Sequence, residues 1–192
     1  MLDNVSIVIP LASGETAHEV LLKDLEGCGA EIIVSSEGSR AKSLNAGADK
    51  AQGEFLWFLH ADSRVTQENI QTLQRCLKRE PDALHYFFLT YGFCTLAFTA
   101  WAANIRSALF GLPYGDQGFC LSKESFDSLG GYPQSDYGED VLFIRKAKKT
   151  GVKLRLVPSK LRTSGRKYQQ QGWLKVTLQH QGMLLKLLRQ KL

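Results

Sequence analysis

The chain has 192 residues, of which 44% are hydrophobic, 22% charged and 10% aromatic, and it carries a formal charge of +5. This length fits one domain around one core, and the composition excludes a disordered or fibrous chain. The positive balance suits an anionic ligand or an anionic membrane face, but no lysine/arginine block is interleaved with aromatics, so nucleic acid is not an expected partner.

Met1-Leu2-Asp3-Asn4 lacks the basic stretch and apolar run of a secretory signal, which predicts a cytoplasmic start. Val5 to Pro10 is a β-branched run closed by a proline, the pattern of a buried parallel strand. A helix is expected over Glu15 to Leu25, with Val20, Leu21, Leu22 and Leu25 on its apolar side and Gly27 and Gly29 beyond it. Glu31 to Val34 predicts a second strand, running into the turn-forming Ser35-Ser36-Glu37-Gly38-Ser39. Arg40 to Ala51 reads as a helix ended by Gly53, Phe55 to Leu59 as a third strand closed by His60-Ala61-Asp62-Ser63, and Asn69 to Lys78 as another helix. Such alternation implies right-handed crossovers and a mostly parallel sheet, with ligands bound at the C-terminal ends of the strands. The polar clusters at 35–40 and 60–64 fall at those ends.

Tyr86 to Phe93 begins as a strand. Thr95 to Leu112 is rich in alanine, leucine and aromatics, but Asn104 and Arg106 interrupt it, which argues against a membrane span. Two readings stay open for it: a core helix, or a helix lying on a membrane or a partner. The C-terminal segment, from Trp173-Leu174-Lys175-Val176 to Met183-Leu184-Leu185-Lys186-Leu187-Leu188-Arg189, has apolar residues at helical spacing beside cations. A basic amphipathic helix of this kind rests on an anionic bilayer or packs on its own domain. The division expected is therefore a domain over 1–165 and a C-terminal helix over 166–192. Cys28, Cys76, Cys94 and Cys120 form no CxxC pair and read as buried free thiols of a reducing compartment.

Several residues have chemistry to offer. Asp62 closes a strand on the ligand-binding end, where a carboxylate either holds a divalent cation or fixes a turn. Glu139 and Asp140 open an apparent helix, where they either cap it or supply a general base. Gly115-Asp116-Gln117-Gly118 combines glycines that admit a close ligand with polar side chains to bind it, and Arg40 and Lys42 stand within reach of phosphates. Gly38, Gly47 and Gly53 have the spacing of neither a P-loop nor a dinucleotide fingerprint.

Taken in order, Val5-Ser6-Ile7-Val8-Ile9-Pro10, Glu31-Ile32-Ile33-Val34, Leu44-Asn45-Ala46-Gly47-Ala48, Ala51-Gln52-Gly53-Glu54 and Phe58-Leu59-His60-Ala61-Asp62-Ser63-Arg64 resemble the family 2 glycosyltransferases. The likeness continues through Gly111-Leu112-Pro113-Tyr114-Gly115-Asp116-Gln117-Gly118, Leu129-Gly130-Gly131-Tyr132 and Gly138-Glu139-Asp140, and is nearest to a small bacterial subgroup with the Pro-Tyr-Gly-Asp-Gln-Gly stretch. The resemblance implies an α/β three-layer sandwich with a mostly parallel central sheet, and inverting transfer of a sugar from a nucleotide-diphosphate donor to an acceptor hydroxyl. It implies Mn²⁺ or Mg²⁺ on Asp62, the base in the Glu139-Asp140 pair with Asp140 preferred, and an acceptor side at Gly115, Asp116, Gln117 and Gly118. The donor is expected against Pro10, Ser36, Glu37, Arg40, Lys42, Asn45, Ala61 and Asp62. A lipid-linked acceptor and peripheral contact with the inner face of the membrane suit the apolar segments.

Three departures stand out. Ser36-Glu37-Gly38-Ser39 replaces the family's aspartate-containing turn, His60 stands where relatives keep the first aspartate of the metal motif, and Leu11-Ala12-Ser13-Gly14-Glu15 lacks the usual Asn-Glu pair. They leave a degenerate binding or scaffolding subunit as the alternative. A nucleotidyltransferase of similar fold would need a basic, glycine-rich loop over 10–20, which is absent.

Overall fold

Six strands and eight helices are found among the described residues, 1–12, 14–135 and 137–189 of a computed structural model. Strand β1 (Val5–Pro10) is buried along its whole length because it lies inside the sheet, between β2 (Glu31–Ser35) and β3 (Phe55–Phe58), and is parallel to both. Helix α1 (His18–Asp24) starts later than the apolar pattern predicts, and no side chain caps its first turn. Helix α2 (Arg40–Lys50) begins at Ser39, whose hydroxyl accepts from the Lys42 amide, and α3 (Gln67–Arg79) begins in a Thr66/Asn69 capping box.

Beyond α3 come β4 (Leu84–Tyr91), α4 (Ala97–Phe110), β5 (Phe119–Ser122), α5 (Lys123–Ser128), α6 (Glu139–Lys149), β6 (Leu154–Thr163), α7 (Arg166–Gln171) and α8 (Trp173–Arg189). The sheet order is β2-β1-β3-β5-β4-β6. The expected parallel pairing holds for β1 with β2 and β3 and for β4 with β6, whereas β5 runs antiparallel to both neighbours. Strands β5 and β6 and helix α5 had no counterpart among the expected elements.

Side-chain alternation sends the two halves of each strand to opposite layers. Ile7, Ile9 and Trp57 pack with Leu21 of α1 and Leu73 of α3, while Val8, Leu56 and Phe58 pack with Leu44 of α2, Phe126 of α5 and Phe143 of α6. The result is the three-layer α/β sandwich expected from the sequence. Phe87 extends the first layer, stacking on Trp57 at 5.5 Å between ring centroids.

Strand β5 meets β4 only at the His85–Cys120 pair, which leaves the rest of that β4 edge open. Buried backbone groups need partners, and two side-chain amides supply them. Gln117 Nε2 donates to the Phe87 carbonyl at 2.9 Å, and Asn104 both accepts from the Leu89 amide (2.8 Å) and donates to its carbonyl (3.0 Å). Asn104 thereby fixes α4 alongside β4. On the other edge, β6 bulges at Pro158-Ser159, where Asn69 of α3 donates to Ser159 Oγ and the Lys160 carbonyl.

The segment over 95–112 forms α4, packed on the domain along one narrow face and open along the other. Ala100, Ala103 and Ser107 are buried, while Phe98, Trp101, Ile105 and Leu109 are exposed. Helix α8 packs on the domain through Leu184 and Leu187, which meet Val141 and Leu142 of α6. No helix among the described residues is long and apolar enough to cross a membrane. All four cysteines are free, but only Cys28 and Cys120 are buried; Cys76 is half-buried and Cys94, in a short 3-10 turn before α4, is exposed.

Candidate active site

A cavity of about 760 Å³ opens at the C-terminal ends of β3, β4 and β6, where a parallel sheet leaves room for ligands. His60 and Asp62 reach it from the loop after β3, Tyr91 from the end of β4 and Thr163 from the end of β6. Because β5 is antiparallel, the turn that enters it carries Asp116 to the same end. Helix starts contribute Arg40 from α2 and Asp140 from α6.

Arg40 is the hub. Its Nη1 donates to Glu139 Oε1 at 2.6 Å, and its Nη2 contacts His60 Nε2. Burial holds the His60 imidazole well below its usual pKa, and the Arg40 cation lowers it further, so His60 is neutral and accepts from the guanidinium. Gly115 packs so closely here that a Cβ would lie 2.5 Å from Arg40 Nη2 and 3.3 Å from Asp140 Oδ2. Its bare backbone lets the amide donate to Asp140 Oδ2 at 2.7 Å, while Asp140 Oδ1 accepts from the Val141 amide at 2.8 Å. Asp140 is thus aimed by two backbone donors, with lone pairs left over on both oxygens.

Asp116 is held differently. Its Oδ1 is buried with no hydrogen-bond partner among the described residues. Burial pushes the carboxyl up to about 6, against the pull of the Arg106 guanidinium, and Asp140 adds repulsion. Arg106 donates through Nε to the Leu112 carbonyl and lays its guanidinium 3.4 Å from the Tyr114 ring centroid, yet its buried Nη2 also has no partner. Tyr91 and Tyr168 meet edge to face at 5.7 Å, and burial raises both phenols, most strongly Tyr91.

Asp62 accepts weakly from Thr163 Oγ1 at 3.4 Å; burial raises its pKa, and the nearby Glu15 carboxylate raises it further. Among the described residues no group of three His, Cys, Asp or Glu side chains could hold a metal ion. An all-protein cage is therefore ruled out for these residues, but a hard divalent ion needs only one or two carboxylates when substrate phosphates and water complete its shell. Asp62, which lines the cavity, meets the one-carboxylate form of that demand, whereas Glu15 pairs with Arg166 at 3.8 Å.

Some expected site residues stand elsewhere. Ser36, Glu37 and Lys42 are exposed and do not line the cavity, and Glu37 faces Lys50 at 3.7 Å. Both ends of the Asn45 amide are taken by the Tyr132 backbone, at 2.8 and 2.9 Å. Gln117 faces inward, bonded to Phe87, Ser107 and Tyr114. Gly118 (φ 64°) carries the turn over Trp57 and Leu161, while Pro10 and Ala61 are buried and do not line the cavity. Sequence reasoning missed Tyr91, Arg106 and Tyr168; an arginine interrupting an apolar helix was the visible signal for one of them.

The sequence profile of the family described as "Glycosyl transferase family 2" matches residues 14–130. The chain belongs to glycosyl transferase family 2. No curated protein matches it at a significant level. In fold, this family 2 chain is similar to S. aureus TarS, with a TM-score of 0.61 at 12% identity over 85% of this chain and 37% of that one. It is also similar to S. aureus TarS 1-349 in complex with UDP-GlcNAc, with a TM-score of 0.60 at 13% identity over 84% of this chain and 58% of that one. It therefore spans well under two thirds of the TarS chains it matches. The family match ends at 130, so Glu139, Asp140 and the helices after them lie outside it.

Proposed function

We propose that this family 2 chain transfers a sugar from a nucleotide-diphosphate donor to an acceptor hydroxyl, with inversion at the anomeric carbon. The observation that carries the reading is the convergence of Arg40, neutral His60, Asp62, Asp116 and Asp140 on one cavity at the strand ends. The donor diphosphate lies toward Arg40, at the start of α2, where cationic charge and helix amides favour an anion. The nucleotide extends toward Pro10, Ala61 and the turn at Ser36 and Glu37.

Asp140 takes the proton of the acceptor hydroxyl as its oxygen bonds to the anomeric carbon; the bond from that carbon to the diphosphate oxygen breaks, and the diphosphate leaves with the electron pair. Two backbone amides aim the Asp140 carboxylate, and Glu139 holds the Arg40 guanidinium in place near the leaving group. Asp116 and Gly115 bound the acceptor side. Mn²⁺ or Mg²⁺, held by Asp62 with the donor phosphates, would neutralise the leaving diphosphate. Within the family the Pro-Tyr-Gly-Asp-Gln-Gly stretch favours the small bacterial subgroup named above. The apolar side of the cavity favours a lipid-linked acceptor, with the chain peripheral on the cytoplasmic membrane face.

A second reading has one observation behind it. Ser36, Glu37, Lys42 and Asn45 do not line this cavity, so a binding or scaffolding subunit that has lost donor recognition accounts for them directly. Calorimetric titration with UDP-, GDP- and dTDP-linked sugars, with Mn²⁺ and with EDTA, separates the two. Metal-dependent binding that Asp62→Ala abolishes supports transfer; a folded protein inert to the panel favours the scaffold.

A further inference from the structure

The cavity has a wall that the transfer chemistry leaves unexplained. On one side stand Asp116 and Asp140; on the other, α4, α6 and α8 contribute Phe98, Ala103, Phe110, Val141, Leu184 and Leu187. On the same cavity, Asp116 Oδ1, Arg106 Nη2 and Thr177 Oγ1 are buried without partners among the described residues. Buried polar groups are nearly always hydrogen-bonded, so three orphans on one cavity await a polar head. The apolar wall behind them calls for a hydrocarbon part in the same molecule.

The outside of the same helices is apolar as well. Phe98, Trp101, Ile105 and Leu109 recur every three or four residues on α4, and Trp101, Leu109 and Phe98 are 58%, 72% and 65% exposed. Trp173, Leu174 and Leu178 of α8 are exposed too, and Trp173 Nε1 donates to Thr99 Oγ1 of α4 at 2.7 Å, joining the two helices. Charge is uneven along the sequence too. Residues 141–192 hold fourteen of the chain's 24 lysines and arginines and no aspartate or glutamate, and 83–115 also lack acids. On α8 the lysines Lys175 and Lys186 are exposed, and an aromatic-aliphatic patch on two helices that carry cations and no acids complements an anionic bilayer surface.

We propose that α4 and α8 dock this chain on an anionic bilayer, and that the cavity between them takes the hydrocarbon chain of an amphiphilic acceptor drawn from that bilayer. The head of the acceptor meets Arg106, Asp116 and Thr177, and its chain runs along Phe98, Val141 and Leu184. The inference deepens the transfer reading and rests on it for the reaction, though not for the binding.

The test uses the full chain and two variants altered only at exposed positions. Co-sedimentation with equimolar phosphatidylglycerol/phosphatidylcholine vesicles, against phosphatidylcholine alone, measures docking. The wild type is expected to bind the anionic vesicles, and Trp101→Asp/Leu109→Asp to bind them at least about tenfold more weakly. A pyrene-labelled dodecanol measures the cavity: the wild type is expected to take it up, and Ala102→Trp, which narrows the cavity, to exclude it while still binding vesicles. Three results would overturn the proposal: no preference for anionic vesicles, equal vesicle binding by the double variant, or exclusion of the probe by the wild type. A concentration-dependent dimer broken by the double variant would instead make this face a contact between two copies. Nucleotide-sugar titration of the same samples keeps the two readings apart, since its failure alone removes the transfer reaction and leaves amphiphile binding in place.

Discussion

Arg40 and Glu139, 99 residues apart in sequence, meet at 2.6 Å with the carboxylate almost wholly buried and the guanidinium half-exposed. The pair ties the first turn of α2 to the first turn of α6, so the Arg40 and Asp140 walls of the cavity are held in one frame. Removing one member of such a pair strands the other. We expect Glu139→Ala to lower stability by about 1–3 kcal/mol, because Arg40 Nη1 loses its acceptor, and Arg40→Met/Glu139→Ala to cost less than the sum of the single changes. Urea unfolding of all four forms measures that coupling; strict additivity would mean that the pair does not bind the two helices together.

Asp116 should make stability depend on pH. Its carboxyl titrates at about 6 in the folded chain against 3.8 for an ordinary aspartate, so the folded state holds the proton more tightly. That contribution is complete below 3.8 and is lost as pH rises through 6, leaving a buried charge as a net cost above. Asp116→Asn is therefore expected to be more stable than wild type near pH 7.5, by no more than about 3 kcal/mol, with the difference vanishing near pH 4. Denaturation curves at the two pH values give the sign directly.

The two aspartates should separate kinetically. Asp140→Asn leaves the backbone donors facing an amide and is expected to reduce kcat by about 10²–10⁴ with little change in donor KM. Asp116→Asn should act on the acceptor KM and remove any acid limb near pH 6 from the rate profile. A rate profile with that limb intact in Asp116→Asn would assign it to another group.

Gly115 has no space for a side chain. In Gly115→Ala the new methyl would press on Arg40 Nη2 at 2.5 Å, so Arg40 must move from His60 or the turn must lift away from Asp140. We expect a stability loss of about 1–3 kcal/mol, and weaker donor binding measured by the same calorimetric titration.

Much of this was legible in the chain. Val5–Pro10, Arg40–Lys50 and Phe55–Phe58 carry dense apolar patterns with clear stops, and they became β1, α2 and β3 almost as bounded. Strand β5 was not, because four residues between a glycine turn and a serine cap carry too little period to register. Strand β6 hides behind Pro158, which argues against a strand interior but sits on the edge, at the bulge. Its alternation of outward Arg155, Lys160 and Arg162 with inward Val157 and Leu161 was the available signal. At the site, the acids were visible because each closes or opens an element. Arg40 and Lys42 part company because proximity in sequence is not proximity on a helix: two residues beyond Arg40 is a rotation of about 200°, which turns one cation inward and the other to solvent. Tyr91, Arg106 and Tyr168 come from three elements and become neighbours only once the chain has folded.

Gly138, in the left-handed region at φ 71°, starts α6 immediately before Glu139, and its bare Cα is packed against Leu187 of α8, so that any Cβ there would collide with the leucine. Arg145 of α6 also donates to the Leu187 carbonyl. Helix α8 thus backs the start of α6, where the acid pair sits. Cutting the chain before Leu184 would remove no carboxylate, yet it would take away the stop against which Gly138 is set, and a clipped preparation would look like a damaged catalyst.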